Sequence, residues 1–216
     1  MDIHIIFDLD GTLIDSSPSI LSSFSTTLLS HNIQPAKSLD SSLIGPPLRE
    51  TLSKLTESDD SELLDRLSAT FKSYYDTEGY KSTEVFPGVH ELLAELCRRN
   101  IPLYIATNKR LHPARLILEH LNWAKYFRGV YALDSIIPHL SSKAAMLGYL
   151  LEEVGIKATQ AIYVGDKLED GLAADGNSLP FFAACWGYGV LGEPEIKSGW
   201  RTLYEPKELI MSIFDT

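Results

Sequence analysis

Apolar residues follow two rhythms along this chain. Near residues 3–7, 103–106, 129–133, 161–164 and 180–185 they form short, almost unbroken runs rich in β-branched and aromatic types, as strands buried on both faces do. Between these runs the spacing changes to threes and fours. Val89, Leu92, Leu93, Leu96 and Cys97 form one helical stripe after Phe86-Pro87-Gly88. A second helix is predicted near 112–122, and a third runs from Lys143 to Val154 and closes at Gly155. Strands alternating with helices of about ten residues predict right-handed βαβ crossovers. The expected fold class is α/β, a Rossmann-like parallel sheet core with helices on both faces.

One stretch breaks the alternation. Ser16-Ser17-Pro18 reads as a helix start, with Ser17 as N-cap and Pro18 at the first helical position. Ile20, Phe24 and Leu28 then recur to about Ser30, and the serines and threonines between them suit an exposed face. Gly45-Pro46-Pro47 forces a turn before Leu48, Leu52 and Leu55. Asp59-Asp60-Ser61 starts another helix through Leu64, Leu67, Phe71 and Tyr75. Residues 15–82 are therefore expected to be a small all-helical domain inserted after the first strand, with 1–14 and 83–216 as the α/β core.

The 216 residues can bury a full core, and a hydrophobic share of 44% with 22% charged is ordinary for a globular protein. A formal net charge of -10 argues against nucleic-acid or anionic-membrane partners, because the long-range field repels both. The cysteines, Cys97 and Cys185, lie in apolar neighbourhoods without metal-ligand spacing and read as buried free thiols of a reducing compartment. No signal-peptide pattern or membrane-length apolar run is present, so a cytoplasmic protein is expected, as a monomer or homodimer.

Candidate chemistry gathers at the ends of the strands. In Phe7-Asp8-Leu9-Asp10-Gly11-Thr12 two carboxylates leave the first apolar run and meet a glycine turn. Alone, this could be a strand followed by an Asp-Gly hairpin. However, Thr107-Asn108 follows a second strand and Gly165-Asp166-x-x-x-Asp170 a later one, and open parallel sheets bind ligands beyond these carboxyl ends. Asp8, Asp10, Asp166 and Asp170 would then share a crevice. Two unit charges about 4 Å apart repel by about 4 kcal/mol at an effective dielectric near 20. Such a group calls for a bound cation or a protonated member, and oxygen ligands favour Mg2+. Taken singly, Thr107 or Asn108 could simply cap a helix, Lys143 could be solvated, and Ser141 or Ser142 could cap its helix.

In their order along the chain, Asp8-x-Asp10-Gly11-Thr12, Thr107-Asn108, Lys143 and Gly165-Asp166-x-x-x-Asp170 resemble the four motifs of the haloacid dehalogenase superfamily, and specifically its phosphatases. The helical insertion lies where those phosphatases carry a small cap. The resemblance implies that Asp8 attacks phosphorus and forms an aspartyl-phosphate, while Asp10 acts as general acid and base. It also implies Mg2+ held by the Asp8 carboxylate, the Asp10 backbone carbonyl and Asp166, with Asp170 in a supporting or direct role. Thr107, the Asn108 amide and Lys143 are implied to hold the phosphoryl group. The expected substrate is a small phosphorylated metabolite.

Gly45-Pro46-Pro47-Leu48 and Trp186-Gly187-Tyr188-Gly189 also resemble phosphatases related to phosphoglycolate phosphatase. Arg49 is the candidate for reaching the substrate, against an ordinary solvated arginine, and the aromatics of the second stretch could instead pack on the sheet edge. Ala144-Ala145 after Lys143 departs from the Lys-Pro-x-Pro of phosphoglycolate phosphatases, which puts that particular substrate in doubt. Asp10 argues against a dehalogenase or a phosphonatase. A cap-bearing hexose-phosphate mutase keeps both aspartates and remains an alternative, as does a non-catalytic phosphate-binding or interaction module on the same fold.

Overall fold

The computed structural model describes residues 3–40, 43, 44, 46–188 and 196–214; Gly45 and Gly189, both singled out above, lie outside the described residues. The chain divides into two compact units, residues 16–83 and residues 1–15 with 84–216.

The unit of residues 16–83 is helical: α1 (Ser17–Ser30), α2 (Leu48–Thr56) and α3 (Ser61–Thr77). The N-cap of α1 is Ser16, one residue earlier than its sequence suggests, and Pro18 sits in the first turn, where a missing N–H costs nothing. Asp60 caps α3, its Oδ1 accepting from the amides of Glu62 at 2.9 Å and Leu63 at 3.4 Å. Phe24, Leu28, Leu52, Leu55, Leu64, Leu67, Phe71 and Tyr75 form the core of this unit. The Phe71 ring lies 4.7 Å from that of Phe24 and 5.7 Å from that of Tyr75.

The expectation of an exposed serine and threonine face on α1 fails at Ser19, Ser23 and Thr27, which are all buried. The Ser19 hydroxyl donates to Ser16 O and that of Ser23 to Ser19 O. The two serine hydroxyls are satisfied by their own helix, whereas the buried Thr27 Oγ1 has no hydrogen-bond partner, and the small serines let neighbouring chain approach closely. A Cβ on Gly79 would meet Ser23 Oγ at 2.5 Å.

The other unit carries strands β1 (His4–Phe7), β2 (Ile14–Asp15), β3 (Glu84–Val85), β4 (Leu103–Thr107), β5 (Phe127–Ala132), β6 (Ala161–Gly165), β7 (Phe181–Ala184) and β8 (Arg201–Leu203). Its helices are α4 (Val89–Arg98), α5 (Leu111–His120), α6 (Lys143–Val154), α7 (Leu168–Gly176) and α8 (Lys207–Phe214). Six strands form one parallel sheet in the order β5-β4-β1-β6-β7-β8, while β2 and β3 pair antiparallel in a separate ribbon.

Both neighbours of β1 are therefore parallel, and Asp10-Gly11 is no hairpin turn. Instead Leu13 N and Ile14 N both donate to Leu9 O, coiling the chain into a tight loop before the ribbon. The path β1, β4, β5 moves towards one edge and then returns to β6 on the other side of β1. Strand order thus reverses between β1 and β6, where parallel sheets open a crevice at the carboxyl ends.

Ile6, Tyr104, Ala106 and Tyr163 face one side of the sheet and pack with Met146, Leu147 and Leu150 of α6 and Ala173 and Ala174 of α7. By strand alternation Ile5, Phe7, Ile105, Ile162 and Val164 face the other, and all are buried. Burying each such side chain stabilises the fold by about 1.5–3 kcal/mol, before the entropic cost of ordering it. The expectation of buried thiols is wrong for Cys97, which is exposed at the end of α4, and Cys185 is half-buried. Among the described residues no helix is long and apolar enough to cross a membrane.

Candidate active site

Asp8 leaves the central strand β1 at the point of reversal, and its amide continues the ladder by donating to Val164 O at 2.8 Å. Its carboxyl is buried, as are those of Asp166 and Asp170, and oxygens of all three lie within 4.8 Å of one another. Burial chiefly, and then the charges of Asp170, Asp166 and Asp10, raise the Asp8 pKa from 3.8 to about 8, with Lys143 opposing them.

Lys143, the first residue of α6, reaches into this group. Its Nζ is 3.1 Å from Asp8 Oδ1 and 2.5 Å from Asp170 Oδ1. Burial disfavours the ammonium, but the two carboxylates outweigh it and hold the pKa of Lys143 well above its ordinary value. The α6 cap comes from Ser142, whose hydroxyl accepts from Ala145 N at 3.1 Å, leaving Lys143 free of that task.

Asp170 is fully engaged within the fold. Its Oδ1 also accepts from Tyr163 Oη at 3.1 Å, and its Oδ2 accepts from Lys167 N at 3.0 Å in the first turn of α7. Burial, followed by the charges of Asp170 and Asp8, pushes the Tyr163 phenol well above its usual range, so it stays a donor. Sequence reasoning did not mark Tyr163. Its signal is a strand tyrosine three residues before Asp166.

The loop carrying Asp10 is clasped by the segment after β7. Gly11 has φ +89°, and a Cβ there would lie 2.2 Å from Asp166 Oδ2. Only glycine allows both the turn and that approach. A Cβ on Gly187 would lie 1.9 Å from Gly11 O, so the second segment presses backbone to backbone on the first. Trp186 Nε1 donates to Thr12 O at 2.9 Å, Tyr188 N to Asp166 Oδ2 at 3.1 Å, and Tyr188 Oη to Asp15 Oδ1 at 2.7 Å. The Trp186 and Tyr188 aromatics therefore clasp the loop that carries Asp10 as well as packing.

At the end of β4, Thr107 is buried and Asn108 exposed, and neither caps α5, whose N-cap is Arg110. Thr107 Oγ1 accepts from Lys109 N at 3.2 Å, so its own proton is available to another acceptor. The Asn108 side-chain amide meets Glu169 Oε1 at 3.3 Å. Lys109, which sequence reasoning passed over, is buried with its Nζ 3.1 Å from Asp10 Oδ1. Arg49 belongs to the helical unit, where it pairs with Asp65 and donates to Ser61 Oγ at 2.8 Å. Both partners are substantially exposed, so this pair contributes about 0–1 kcal/mol.

The structure therefore brings together Asp8, Asp10, Asp166, Asp170, Lys143 and Lys109, with Thr107 at the end of a neighbouring strand. Four carboxylates against two ammoniums leave a formal excess of two negative charges, which one divalent cation neutralises. The donors are all oxygens. Asp8 Oδ1 has no hydrogen bond of good geometry and meets Lys143 only as an ion pair, so a buried oxygen retains coordination to offer. The residues fit Mg2+.

Comparisons with known proteins place both the sequence and the fold. The sequence pattern described as haloacid dehalogenase-like hydrolase matches residues 5–184. The phosphoglycolate phosphatase of Rhodospirillum rubrum is 30% identical over 85% of the chain and 80% of its own length. Tyrosine-protein kinase PtkA of Mycobacterium tuberculosis is 31% identical over 86% of the chain, which spans only 62% of that relative. A solved structure described as a predicted phosphatase from Clostridium acetobutylicum superimposes with TM-score 0.81 at 30% identity, covering 99% of each chain.

Proposed function

Because the chain belongs to the haloacid dehalogenase-like hydrolase family, we propose that it is a magnesium-dependent phosphatase acting on a small phosphomonoester through an aspartyl-phosphate on Asp8. The observation that carries this reading is the buried carboxylate of Asp8 at the point of strand reversal, with Lys143 at 3.1 Å and the acidic partners Asp166 and Asp170 beside it.

An Asp8 oxygen attacks phosphorus as the bond to the leaving oxygen breaks, and Asp10 delivers a proton to that oxygen. The leaving alcohol departs, Asp10 takes a proton from water, and attack of that water on phosphorus restores the Asp8 carboxylate and frees phosphate. Lys143 and the Thr107 hydroxyl, with the Asn108 amide, neutralise and orient the phosphoryl oxygens. Magnesium would be held by the Asp8 and Asp166 carboxylates and the Asp10 backbone carbonyl, and when bound it supplies charge neutralisation at the phosphoryl group. Asp170 is better suited to orienting Lys143 than to ligating, since Lys143, Tyr163 and the Lys167 amide already take its oxygens.

The core motifs meet only the phosphoryl end, so we assign the choice of leaving group to the helical unit as a cap, with Arg49 as its candidate contact. The free thiols suit a cytoplasmic location. The test is turnover of an aryl phosphate with magnesium. Inorganic phosphate should appear, and Asp8→Asn should abolish it. Undiminished turnover by Asp8→Asn would remove the nucleophile assignment. A reaction that moves the phosphoryl group to a sugar or tyrosine hydroxyl faster than it releases phosphate would replace the hydrolase with a transferase or mutase.

A further inference from the structure

Among the described residues, Lys109 is a largely enclosed cation of the site that the four motifs do not assign. It lies just beyond β4, and the bond from its amide to Thr107 Oγ1 bends the chain where the strand ends. Its side chain is 8% exposed and that of Asp10 17%, with Nζ 3.1 Å from Asp10 Oδ1. A lysine so enclosed is held by its partner, because burying an unpaired ammonium costs several kcal/mol. Its long stem also has the most rotamer entropy to lose, about 2 kcal/mol. The geometry spends both on a carboxylate whose aim decides where a proton goes.

From this placement we infer that Lys109 is a positioning residue for Asp10. It fixes the Asp10 carboxylate in one rotamer beside the nucleophile, on the loop that turns at Gly11. This inference rests on the acid and base role proposed for Asp10 and extends it. A proton-transfer group displaced by about 1 Å can lose about a hundredfold in rate. The loss should grow with the need for that proton. An alkyl phosphate, whose leaving oxygen must be protonated, depends on the aim of Asp10. A nitrophenyl phosphate, whose leaving group departs as an anion, depends on it far less in the first step.

The experiment compares Lys109→Met with the unaltered protein on both substrates, with magnesium saturating. Expected in a single turnover, which reads the first transfer alone, is a fall in rate of about 10- to 100-fold on the alkyl phosphate and a clearly smaller fall on the nitrophenyl phosphate, with KM changed less than about threefold. In an Asp10→Ala background the same substitution should have almost no further effect on nitrophenyl phosphate turnover, since no carboxylate remains to be aimed. Lys109→Arg, which keeps the charge, should recover part of the alkyl phosphate rate. If Lys109→Met does not melt cooperatively, Lys109→Gln carries the same comparison.

Equal losses on both substrates, a change confined to KM, or a full further loss in the Asp10→Ala background would each overturn the inference. The first two would make Lys109 a contact of the phosphoryl group or the leaving group. Failure of the underlying reading has a different signature, since Asp8→Asn would then retain turnover whatever Lys109 does.

Discussion

Asp8 carries the sharpest tension of any single residue in the molecule. The nucleophilic role proposed for Asp8 requires an anion, yet burial and three neighbouring carboxylates raise its pKa to about 8, with only Lys143 opposing them. The metal-free protein therefore keeps a proton on Asp8 over a range in which the unfolded chain has released it. A folded pKa above the unfolded one contributes stability that is complete below about pH 4 and is lost as pH rises through about 8. In chelator, the melting temperature of the unaltered protein should thus decline relative to that of Asp8→Asn between about pH 5 and pH 8. Asn cannot ionise and has no such slope. A difference between the two proteins that stays constant across that window would mean that Asp8 is not held protonated by its surroundings. Half-buried Glu95 has the opposite sign: hydrogen bonds from the guanidiniums of Arg98 and Arg99 lower its pKa from 4.5 to about 2, so its contribution is complete above about pH 5 and is lost as pH falls through about 2.

Elements were legible in the sequence where burial and residue type agree. β1, β4, β6 and β7 are buried along nearly their whole length, so each appears as an uninterrupted apolar run. α7 is the reverse case. Its Leu168 and Leu172 are exposed, while Asp170, Gly171, Ala173 and Ala174 face inward, so its apolar periodicity points the wrong way. β8 has three residues, of which only Leu203 is buried, too short to establish a period. In the site, the aspartates could be read because strand ends and glycines bracket them, whereas Lys143 could be read only by its place between the second and fourth motifs of the resembled family. Lys109 and Tyr163 could not, because a lysine after a strand and a tyrosine within one are ordinary until three dimensions supply their partners. The clasp after β7 lies in between, its aromatics visible in sequence and its contacts not. Gly187→Ala tests it, since the added methyl would lie 1.9 Å from Gly11 O and can be admitted only if the loop carrying Asp10 or the clasp itself shifts. A loss of about 1–3 kcal/mol in a urea melt should accompany a weakened magnesium dependence, and an unchanged magnesium dependence would mean the loop is held elsewhere.

At the scale of the whole molecule, the excess of negative charge would tie folding to the proposed cation. Carboxylates that repel one another in the folded core and are far apart in the unfolded chain act against folding until a cation joins them, so magnesium should bind the native state and not the unfolded one. At a hundred times its dissociation constant such a ligand stabilises by about 2.7 kcal/mol, which for a chain of this length raises the melting temperature by about 5–10 °C. Asp8, Asp166 and Asp170 all belong to the unit of residues 1–15 and 84–216, whereas residues 16–83 bury their own core of Phe24, Leu52, Leu67 and Phe71. If the two units melt in separate steps, magnesium should move only the step of the sheet-bearing unit. Phe71→Ala, which empties about 3–5 kcal/mol of packing from the other core, should move only the remaining step. Calorimetry with and without magnesium on the unaltered protein, Asp166→Asn and Phe71→Ala separates these effects. Asp166→Asn should lose the magnesium increment while Phe71→Ala keeps it, because the first removes an oxygen from the cation's cage and the second leaves that cage intact. An increment that survives Asp166→Asn would place the stabilising cation outside the carboxylate cluster, and the charge balance that motivates magnesium here would no longer hold.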